Sequence, residues 1–183
     1  MGKVIALVGK GGSGKTTVAS LIIRELRKRS SGSILAIDAD PNSNLAALLG
    51  IDEIKSIASI LDVLACDMSV IPAGMTKDRY IEYQIQTEAV FEGNGFDVLS
   101  MGMPEGPGCY CYVNNVIRSV MGKLIDEYDY IVVDNEAGLE HLSRKTTRKA
   151  DTMIVVAYPT KIGLLSAQRI VKLTDDLKIS IGK

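Results

Sequence analysis

The sequence predicts an α/β fold in which helices flank a doubly wound, mostly parallel β-sheet. Five short runs rich in Val, Ile and Leu recur along the chain, separated by segments with apolar residues at helical spacing. The runs are almost continuously apolar, as expected for strands that are buried on both faces of a parallel sheet. Strand–helix alternation of this kind is typical of the doubly wound class.

The elements follow one another in a single predicted domain, residues 1–183. The region 51–95 is less regular, and we expect one or two helices there. After the last predicted helix the pattern requires another strand, so either the fold is small or the chain is truncated at its C-terminus. The predicted strands are 3–9, 33–40, 96–102, 128–134 and 152–158, and the clearest predicted helices are 16–30, 113–128 and 163–177.

Composition excludes several classes of protein. Of the 183 residues, 46% are hydrophobic and 23% charged, and no apolar stretch approaches the roughly 18 residues that cross a bilayer. The net charge of −1 gives no support for a nucleic acid or an anionic membrane as partner. The apolar N-terminus runs directly into a Gly-rich loop and is interpreted as a strand, not a signal peptide. Three cysteines without a secretion signal favour a reducing compartment, so we expect a cytoplasmic protein.

A phosphate-binding loop follows the first strand. The segment GKGGSGKTT fits the pattern G-x-x-x-x-G-K-[ST] between a predicted strand and a predicted helix. Glycines allow backbone N–H groups to surround phosphate oxygens, and the helix N-terminus adds a positive dipole end. Lys15 can reach the β- and γ-phosphates, and the Thr16 hydroxyl suits Mg²⁺. The predicted ATP-binding residues are Gly9, Lys10, Gly11, Gly12, Ser13, Gly14, Lys15, Thr16 and Thr17.

The extra lysine, Lys10, makes this loop similar to the deviant Walker A loop of one branch of P-loop ATPases. That branch includes nitrogenase iron protein and division-site and plasmid-partitioning ATPases. The resemblance implies a P-loop NTPase fold and a nucleotide-dependent homodimer, in which Lys10 reaches the nucleotide of the partner. Lys10 and Lys15 would both stabilise the charge that develops during hydrolysis.

Two acidic segments agree with this resemblance. AIDADPNSN ends the second strand and IVVDNEAG ends the fourth. The resemblance implies that Asp40 orients the attacking water, that Asp38 supports the metal, and that Asp134 holds Mg²⁺ through water. It also implies that Gly138 offers a backbone N–H to the γ-phosphate. Carboxylates at these positions can instead be simple helix caps.

Cys109 and Cys111 stand one residue apart in a Gly- and Pro-rich loop. Residues two apart in an extended segment project to the same side, so both sulfurs can reach one ion. A disulfide across one intervening residue would be strained, and two thiolates half-fill a tetrahedral site. In a C₂ dimer two such pairs supply four thiolates, so the simplest interpretation is a metal site shared by the two subunits.

The CYC segment and EAGLEHLSRKT together resemble the CooC-type accessory ATPases of carbon monoxide dehydrogenase and their relatives that serve acetyl-CoA synthase. The resemblance implies an ATP-hydrolysing nickel-insertion factor that binds Ni²⁺ or Zn²⁺ through Cys109 and Cys111. Its partner would be a nickel-containing client enzyme, with no role for nucleic acid or membrane. Thiolates alone do not distinguish nickel from zinc or an iron–sulfur cluster.

Three alternatives stay open at this point. An iron–sulfur reductase of the nitrogenase iron protein type also builds a thiolate site across a dimer, although from cysteines in separate segments. A positioning or partitioning ATPase would need a basic or amphipathic surface, which the sequence does not show. A nickel-storing or nickel-sensing module would bind nucleotide without turnover.

Several further residues receive structural interpretations. Cys66 is predicted to be a small core residue, and His141 to fix the second switch by a hydrogen bond. Met101 and Met103 are expected to pack beside the cysteine loop. The basic stretch in 144–149 is expected to form a solvated helix face.

Overall fold

The computed structural model describes residues 2–42, 44–103, 122, 126–136 and 150–176. Within these residues six strands form one sheet in the spatial order β3-β4-β2-β5-β1-β6. Every neighbouring pair is parallel except the antiparallel pair β3–β4. The strands are β1 Lys3–Gly9, β2 Ile34–Asp38, β3 Val90–Glu92, β4 Asp97–Ser100, β5 Tyr130–Asp134 and β6 Thr152–Val156. The predicted fold class is therefore confirmed.

Five α-helices lie among the described residues, with a 3₁₀ turn at Met68–Val70 and a π-helical segment at Ile85–Ala89. The predicted helix 113–128 falls almost entirely outside those residues. The helices are α1 Lys15–Arg29, α2 Asn44–Leu48, α3 Ile57–Cys66, α4 Lys77–Gln84 and α5 Lys161–Asp176.

Helices cover both faces of the sheet because alternate strand residues point to opposite sides. Leu7 of β1 and Ala36 of β2 pack in one cluster with Ala19 and Ile23 of α1. Residues of the opposite parity, such as Leu35, pack against α3 and α4. On that second face Val8 and Met153 contact Ile170 of α5. Strands with apolar residues on both sides thus form the middle layer of a doubly wound fold.

Two elements differ from the sequence-based prediction. Strand β3 was not expected; it is short and pairs with β4 through a turn in which Gly93 N–H donates to the Phe96 carbonyl at 3.0 Å. Gly95 in that turn has a positive φ of 86°, which glycine adopts without strain. Helix α2 was not expected either, because its five residues are too few to show a helical repeat. The region 51–95 contains α3 and α4, as predicted.

The register of the central strands brings the acidic residues to one edge of the sheet. Asp134 of β5 pairs with Leu7 of β1 on one side and with Asp38 of β2 on the other. Asp38 pairs in turn with Ser100 at the end of β4. The carboxyl ends of β1, β2, β4 and β5 therefore meet at the edge where ligands bind in open α/β sheets.

Candidate nucleotide-binding site

The loop between β1 and α1 is shaped by close backbone approach. A Cβ atom at Gly9 would lie 2.2 Å from the Val156 carbonyl oxygen, so only glycine fits beside β6. Gly12 and Gly14 have positive φ angles of 76° and 93°. Gly14 is the N-cap residue of α1 and has no side chain that could cap that N-terminus. The first N–H groups of α1 consequently face the loop without an intrahelical partner, which is the arrangement that binds phosphate.

Lys15 is buried at 6% exposure although it carries a charge. Its Nζ donates to the Lys10 carbonyl oxygen across the loop at 3.5 Å, a long and weak hydrogen bond. A buried ammonium requires a stronger anionic partner than one distant carbonyl. Lys10 itself is exposed. The two lysines of the loop therefore differ in their access to solvent.

Asp134 provides the clearest sign of a cation-binding site. It is 1% exposed, and neither carboxylate oxygen has a well-formed hydrogen bond from a described residue. Burial raises the pKa of Asp134, and this rise is opposed by the Thr16 hydroxyl and the Lys15 ammonium nearby. The hydroxyl of Ser13, inside the loop, is also buried and has no partner among the residues that the structure describes. These orphaned groups fit Mg²⁺ and phosphate, which would supply the absent partners.

Asp38 is fully buried beside Asp134, and both of its oxygens are engaged. Oδ1 accepts from Asp40 N–H at 3.2 Å and Oδ2 from Leu45 N–H at 2.8 Å. Burial raises the pKa of Asp38 to about 6; the two N–H donors lower it, and the Asp134 and Asp40 carboxylates raise it. Asp38 therefore anchors the start of α2, and it adds a second carboxylate beside Asp134 for a divalent ion.

Asp40 follows β2 and lies at the sheet edge, half-buried. Its Oδ1 accepts hydrogen bonds from the backbone N–H and the side-chain amide of Asn42, each at 2.9 Å. This Asx turn fixes the carboxylate close to the backbone. Its role in orienting water stays a prediction, as do the roles assigned to Lys10, Lys15, Thr16, Asp38 and Asp134.

Two residues at this edge were not predicted. Asn135 is buried and donates from its backbone N–H and side-chain amide to the Leu7 carbonyl, at 3.3 and 2.9 Å, which fixes β5 to β1 just before the loop. The Tyr158 hydroxyl donates to the Gly12 carbonyl at the crest of the loop. Asn135 stands next to Asp134 and could have been noticed. Tyr158 could not, since its partner is 146 residues away.

The cysteine loop begins at the same edge. Met101, directly after β4, donates its backbone N–H to the Asp38 carbonyl at 2.9 Å, and its own carbonyl accepts from Ala58 N–H at 3.0 Å. Gly102 follows with a φ of 65°. Met101 packs against the core while Met103 is 60% exposed, so packing was predicted correctly only for Met101. Cys109, Cys111, Gly138, His141 and the basic stretch in 144–149 lie outside the described residues.

The prediction for Cys66 was also wrong. Cys66, expected in the core, is an exposed free cysteine at the last position of α3. The buried face of that helix consists of Ile57, Ile60, Leu61 and Leu64, and Cys66 lies off this stripe. Within the described residues no three His, Cys, Asp or Glu side chains are arranged to hold a metal ion. No helix among them is long and apolar enough to span a membrane.

A phosphate loop between β1 and α1, with aspartates at the ends of two neighbouring parallel strands, defines a P-loop ATPase. The chain belongs to the AAA domain family, whose sequence profile matches residues 2–182. Relatives and structural neighbours agree with this class.

The chain is 46% identical over 178 residues to the uncharacterized ATP-binding protein MJ0685 of Methanocaldococcus jannaschii, covering 96% of this chain and 70% of that protein. It is 28% identical over 185 residues to the carbon monoxide dehydrogenase accessory protein CooC of Rhodospirillum rubrum, again covering 96% and 70%. The cell division ATPase MinD of Pyrococcus furiosus superimposes with a TM-score of 0.70 at 21% identity. That alignment covers 99% of this chain and 70% of MinD, and it shows the fold.

Proposed function

We propose that this ATPase is a metal-insertion factor of the CooC type, which loads a nickel-containing client enzyme such as carbon monoxide dehydrogenase or acetyl-CoA synthase. The main support for the proposal is the position at which the cysteine loop starts. Its first residues, Met101 and Gly102, leave β4 beside Asp38, at the edge that holds the phosphate loop. A metal bound by Cys109 and Cys111 would then respond to the nucleotide.

The proposed working unit is a homodimer that forms with ATP in the cytoplasm, each protomer being one domain of residues 1–183. Lys10 supports this proposal because it is exposed, so a partner's phosphates can approach it. Lys15 is buried in the same loop and would serve its own nucleotide. Each γ-phosphate would then receive one cation from each protomer.

The hydrolytic step follows from the residues at the sheet edge. Backbone N–H groups of 9–17 and of Gly138 would hold the phosphates, and Asp40 would orient the attacking water. Mg²⁺, held at Thr16 and through water at Asp134 and Asp38, would neutralise charge on the phosphates. Lys10 and Lys15 would stabilise the negative charge that grows on the phosphate oxygens during transfer.

The metal cargo would be bound by four thiolates, two from each protomer. Thiolates bind Ni²⁺ and Zn²⁺ well, and neither chain alone supplies four ligands through its Cys-x-Cys pair. Closure of the dimer with ATP would complete the site, and its opening after hydrolysis would release the ion to the client.

Anaerobic native mass spectrometry tests the proposal directly. Wild-type protein is incubated with Ni²⁺ or Zn²⁺, with and without Mg·ATP, and compared with Cys109→Ser. Cys66→Ser is the matched control, because Cys66 is an exposed free thiol on a helix. We expect one metal ion per two chains in the wild type and in the control variant, and none in Cys109→Ser.

Other results would contradict the proposal in distinguishable ways. A dimer carrying a four-iron cluster with acid-labile sulfide would assign the chain to the reductases. A metal-free dimer would favour a positioning ATPase, the alternative that the structural match to MinD supports. Metal binding without any ATP turnover would indicate a storage or sensing module.

A further inference from the structure

Asn135 lies at the point where strands β1 and β5 separate. The last pair of residues that the two strands share is Leu7 with Asp134. Beyond that pair, β1 continues to Gly9 in register with β6. Ligands of open α/β sheets bind in the crevice outside the carboxyl ends of the strands. Asn135, directly after β5, therefore stands at the base of this crevice.

The side chain of Asn135 makes the shorter of its two contacts with β1. The side-chain amide donates to the Leu7 carbonyl at 2.9 Å, whereas the backbone N–H donates to the same carbonyl at 3.3 Å. A distance of 2.9 Å is typical of an N–H···O hydrogen bond, and 3.3 Å exceeds the usual range. Asn135 is 7% exposed, so water competes little for this carbonyl. The connection between β1 and β5 at this level thus depends mainly on the asparagine side chain.

The backbone around Asn135 determines where the Asp134 carboxylate lies. Neither oxygen of that carboxylate has a well-formed hydrogen bond from a described residue, so contacts of its own do not fix it. The backbone is held on both sides instead. The Asp134 carbonyl accepts from Ala39 N–H, just after β2, at 2.9 Å, and the next residue, Asn135, is bound to β1. These two attachments therefore set the position of the carboxylate.

The attachment to β1 also relates this carboxylate to the phosphate loop. Leu7 is fully buried and lies two residues before Gly9, where the loop begins. At the other end of the loop, the Thr16 hydroxyl and the Lys15 ammonium are close enough to Asp134 to oppose the rise in its pKa that burial causes. A wider spacing of β1 and β5 would move the carboxylate away from the loop. Mg²⁺ requires near-ideal octahedral geometry, so such a shift should weaken its binding.

We propose that Asn135 is a positioning residue for Mg²⁺, which sets the spacing between the Asp134 carboxylate and the phosphate loop. It acts through the Leu7 carbonyl and not by contact with the metal or the nucleotide. The inference rests on the proposed function, in which Asp134 holds Mg²⁺ through water. It adds a specific consequence: loss of the Asn135 amide should weaken Mg²⁺ binding without weakening metal-free nucleotide binding to the loop.

Binding of a fluorescent ATP analogue, measured by anisotropy, tests the proposal without relying on turnover. The affinity is determined first in EDTA and then over a series of Mg²⁺ concentrations. In EDTA we expect Asn135→Ala to match the wild type. The Mg²⁺ concentration that gives half of the increase in affinity should be about tenfold higher for Asn135→Ala than for the wild type. Asn135→Leu, which keeps a similar side-chain volume without a donor, should show the same rise.

Tyr128→Phe is the matched control, because the Tyr128 hydroxyl donates to Asp97 at 2.7 Å near the other end of β5. It also removes one side-chain hydrogen bond, and its Mg²⁺ requirement should equal that of the wild type.

Three results would overturn the proposal: an unchanged Mg²⁺ requirement in both Asn135 variants, an equal rise in Tyr128→Phe, or a loss of affinity in EDTA as large as the loss in Mg²⁺. Asp134→Asn separates this failure from failure of the metal site. If Asp134→Asn raises the Mg²⁺ requirement and the Asn135 variants do not, only the positioning role is refuted. If Asp134→Asn also keeps the wild-type requirement, the proposed Mg²⁺ site is wrong as well.

Discussion

Asp134 illustrates how one residue couples stability to function. Its buried carboxylate has no well-formed hydrogen bond among the described residues, and the nearby Thr16 hydroxyl and Lys15 ammonium offset burial only in part, so the ionised form is costly in the metal-free protein. We expect Asp134→Asn to stabilise the metal-free protein by about 1–2 kcal/mol, because it removes the buried charge. The same change should lower Mg²⁺-dependent ATP turnover by about 10- to 100-fold. Urea unfolding in EDTA and a phosphate-release assay measure the two effects.

Asp151→Asn is the matched control for this substitution. The Asp151 carboxylate accepts a hydrogen bond from Val4 N–H at 2.8 Å, so its charge already has a donor. The control should lose stability and retain turnover. An Asp134→Asn variant that retains full Mg²⁺-dependent turnover would refute the assignment of the metal to this position.

Tyr158 supports the phosphate loop because its hydroxyl donates a hydrogen bond to the Gly12 carbonyl. Tyr158→Phe removes only this hydrogen bond, whose net contribution is about 1 kcal/mol or less at a half-exposed position. We expect the KM for ATP to rise about two- to fivefold while kcat changes little, because the loop is held less firmly before phosphate binds. Steady-state kinetics measure both constants.

Tyr128→Phe is the comparison for this experiment. The Tyr128 hydroxyl donates to Asp97 at 2.7 Å, at the start of β4 and away from the phosphate loop. It should lower stability and leave KM unchanged. A shift in KM that is equal in both variants would mean that Tyr158 acts only through general stability.

At the residue scale, the sequence predicted what is encoded in contiguous motifs. The phosphate loop and the aspartates at the strand ends were found because each lies in a short contiguous motif with a characteristic spacing. Tyr158 was missed because its partner, Gly12, is distant in sequence, whereas Asn135 was missed although it stands next to Asp134. The burial of Cys66 was predicted wrongly. A cysteine at the end of a short apolar helix fits a core position until the orientation of the helix shows which of its residues face the sheet.

At the scale of elements, the long buried strands and amphipathic helices were predictable, and the short ones were not. β1 and α1 agree with their predicted bounds within one residue, since β1 is a continuous apolar run and α1 carries a helical period. β3 has three residues, and its pairing is decided by the turn at 93–96 and by β4. α2 is equally short and is held by Asp38 through Leu45 N–H. Tertiary contacts, not local pattern, define such elements.

The burial of Asp38 at the start of α2 predicts a pH dependence of stability. Burial raises the pKa of Asp38 from 3.8 to about 6, so the folded protein binds this proton more tightly than the unfolded chain does. The free energy of unfolding should therefore decrease as the pH rises from 4 to 6. Above pH 6 the buried charge of Asp38 lowers it by the full amount, about 3 kcal/mol. Below pH 4 both states are protonated and the cost is absent.

Urea unfolding in EDTA across this range, compared between the wild type and Asp38→Asn, isolates the effect. The stability of the wild type relative to the variant should fall between pH 4 and 6 and then become constant. A difference that is flat across the range, or that grows with pH, would show that Asp38 is not buried in its charged form.

At the scale of the whole molecule, the exposed Lys10 makes the dimer testable without any knowledge of the metal. Lys10→Ala should bind ATP within a few-fold of the wild type, because Lys15 still lies inside its own loop. It should stay monomeric with a non-hydrolysable ATP analogue in sedimentation experiments, and its turnover should fall by at least about 100-fold, since one charge on the γ-phosphate is lost. Lys3→Ala, at the other end of β1, should behave as the wild type.

Mixing two inactive variants separates action across the dimer from action within one chain. Lys10→Ala retains its own Asp40 but lacks the lysine that it would offer to a partner. Asp40→Asn has the opposite defect. In a mixed dimer the Lys10→Ala protomer would receive Lys10 from the Asp40→Asn protomer, and turnover should recover. If the mixture stays as inactive as its components, Lys10 acts within its own chain, and the exposed side of the phosphate loop is not the place where two protomers meet.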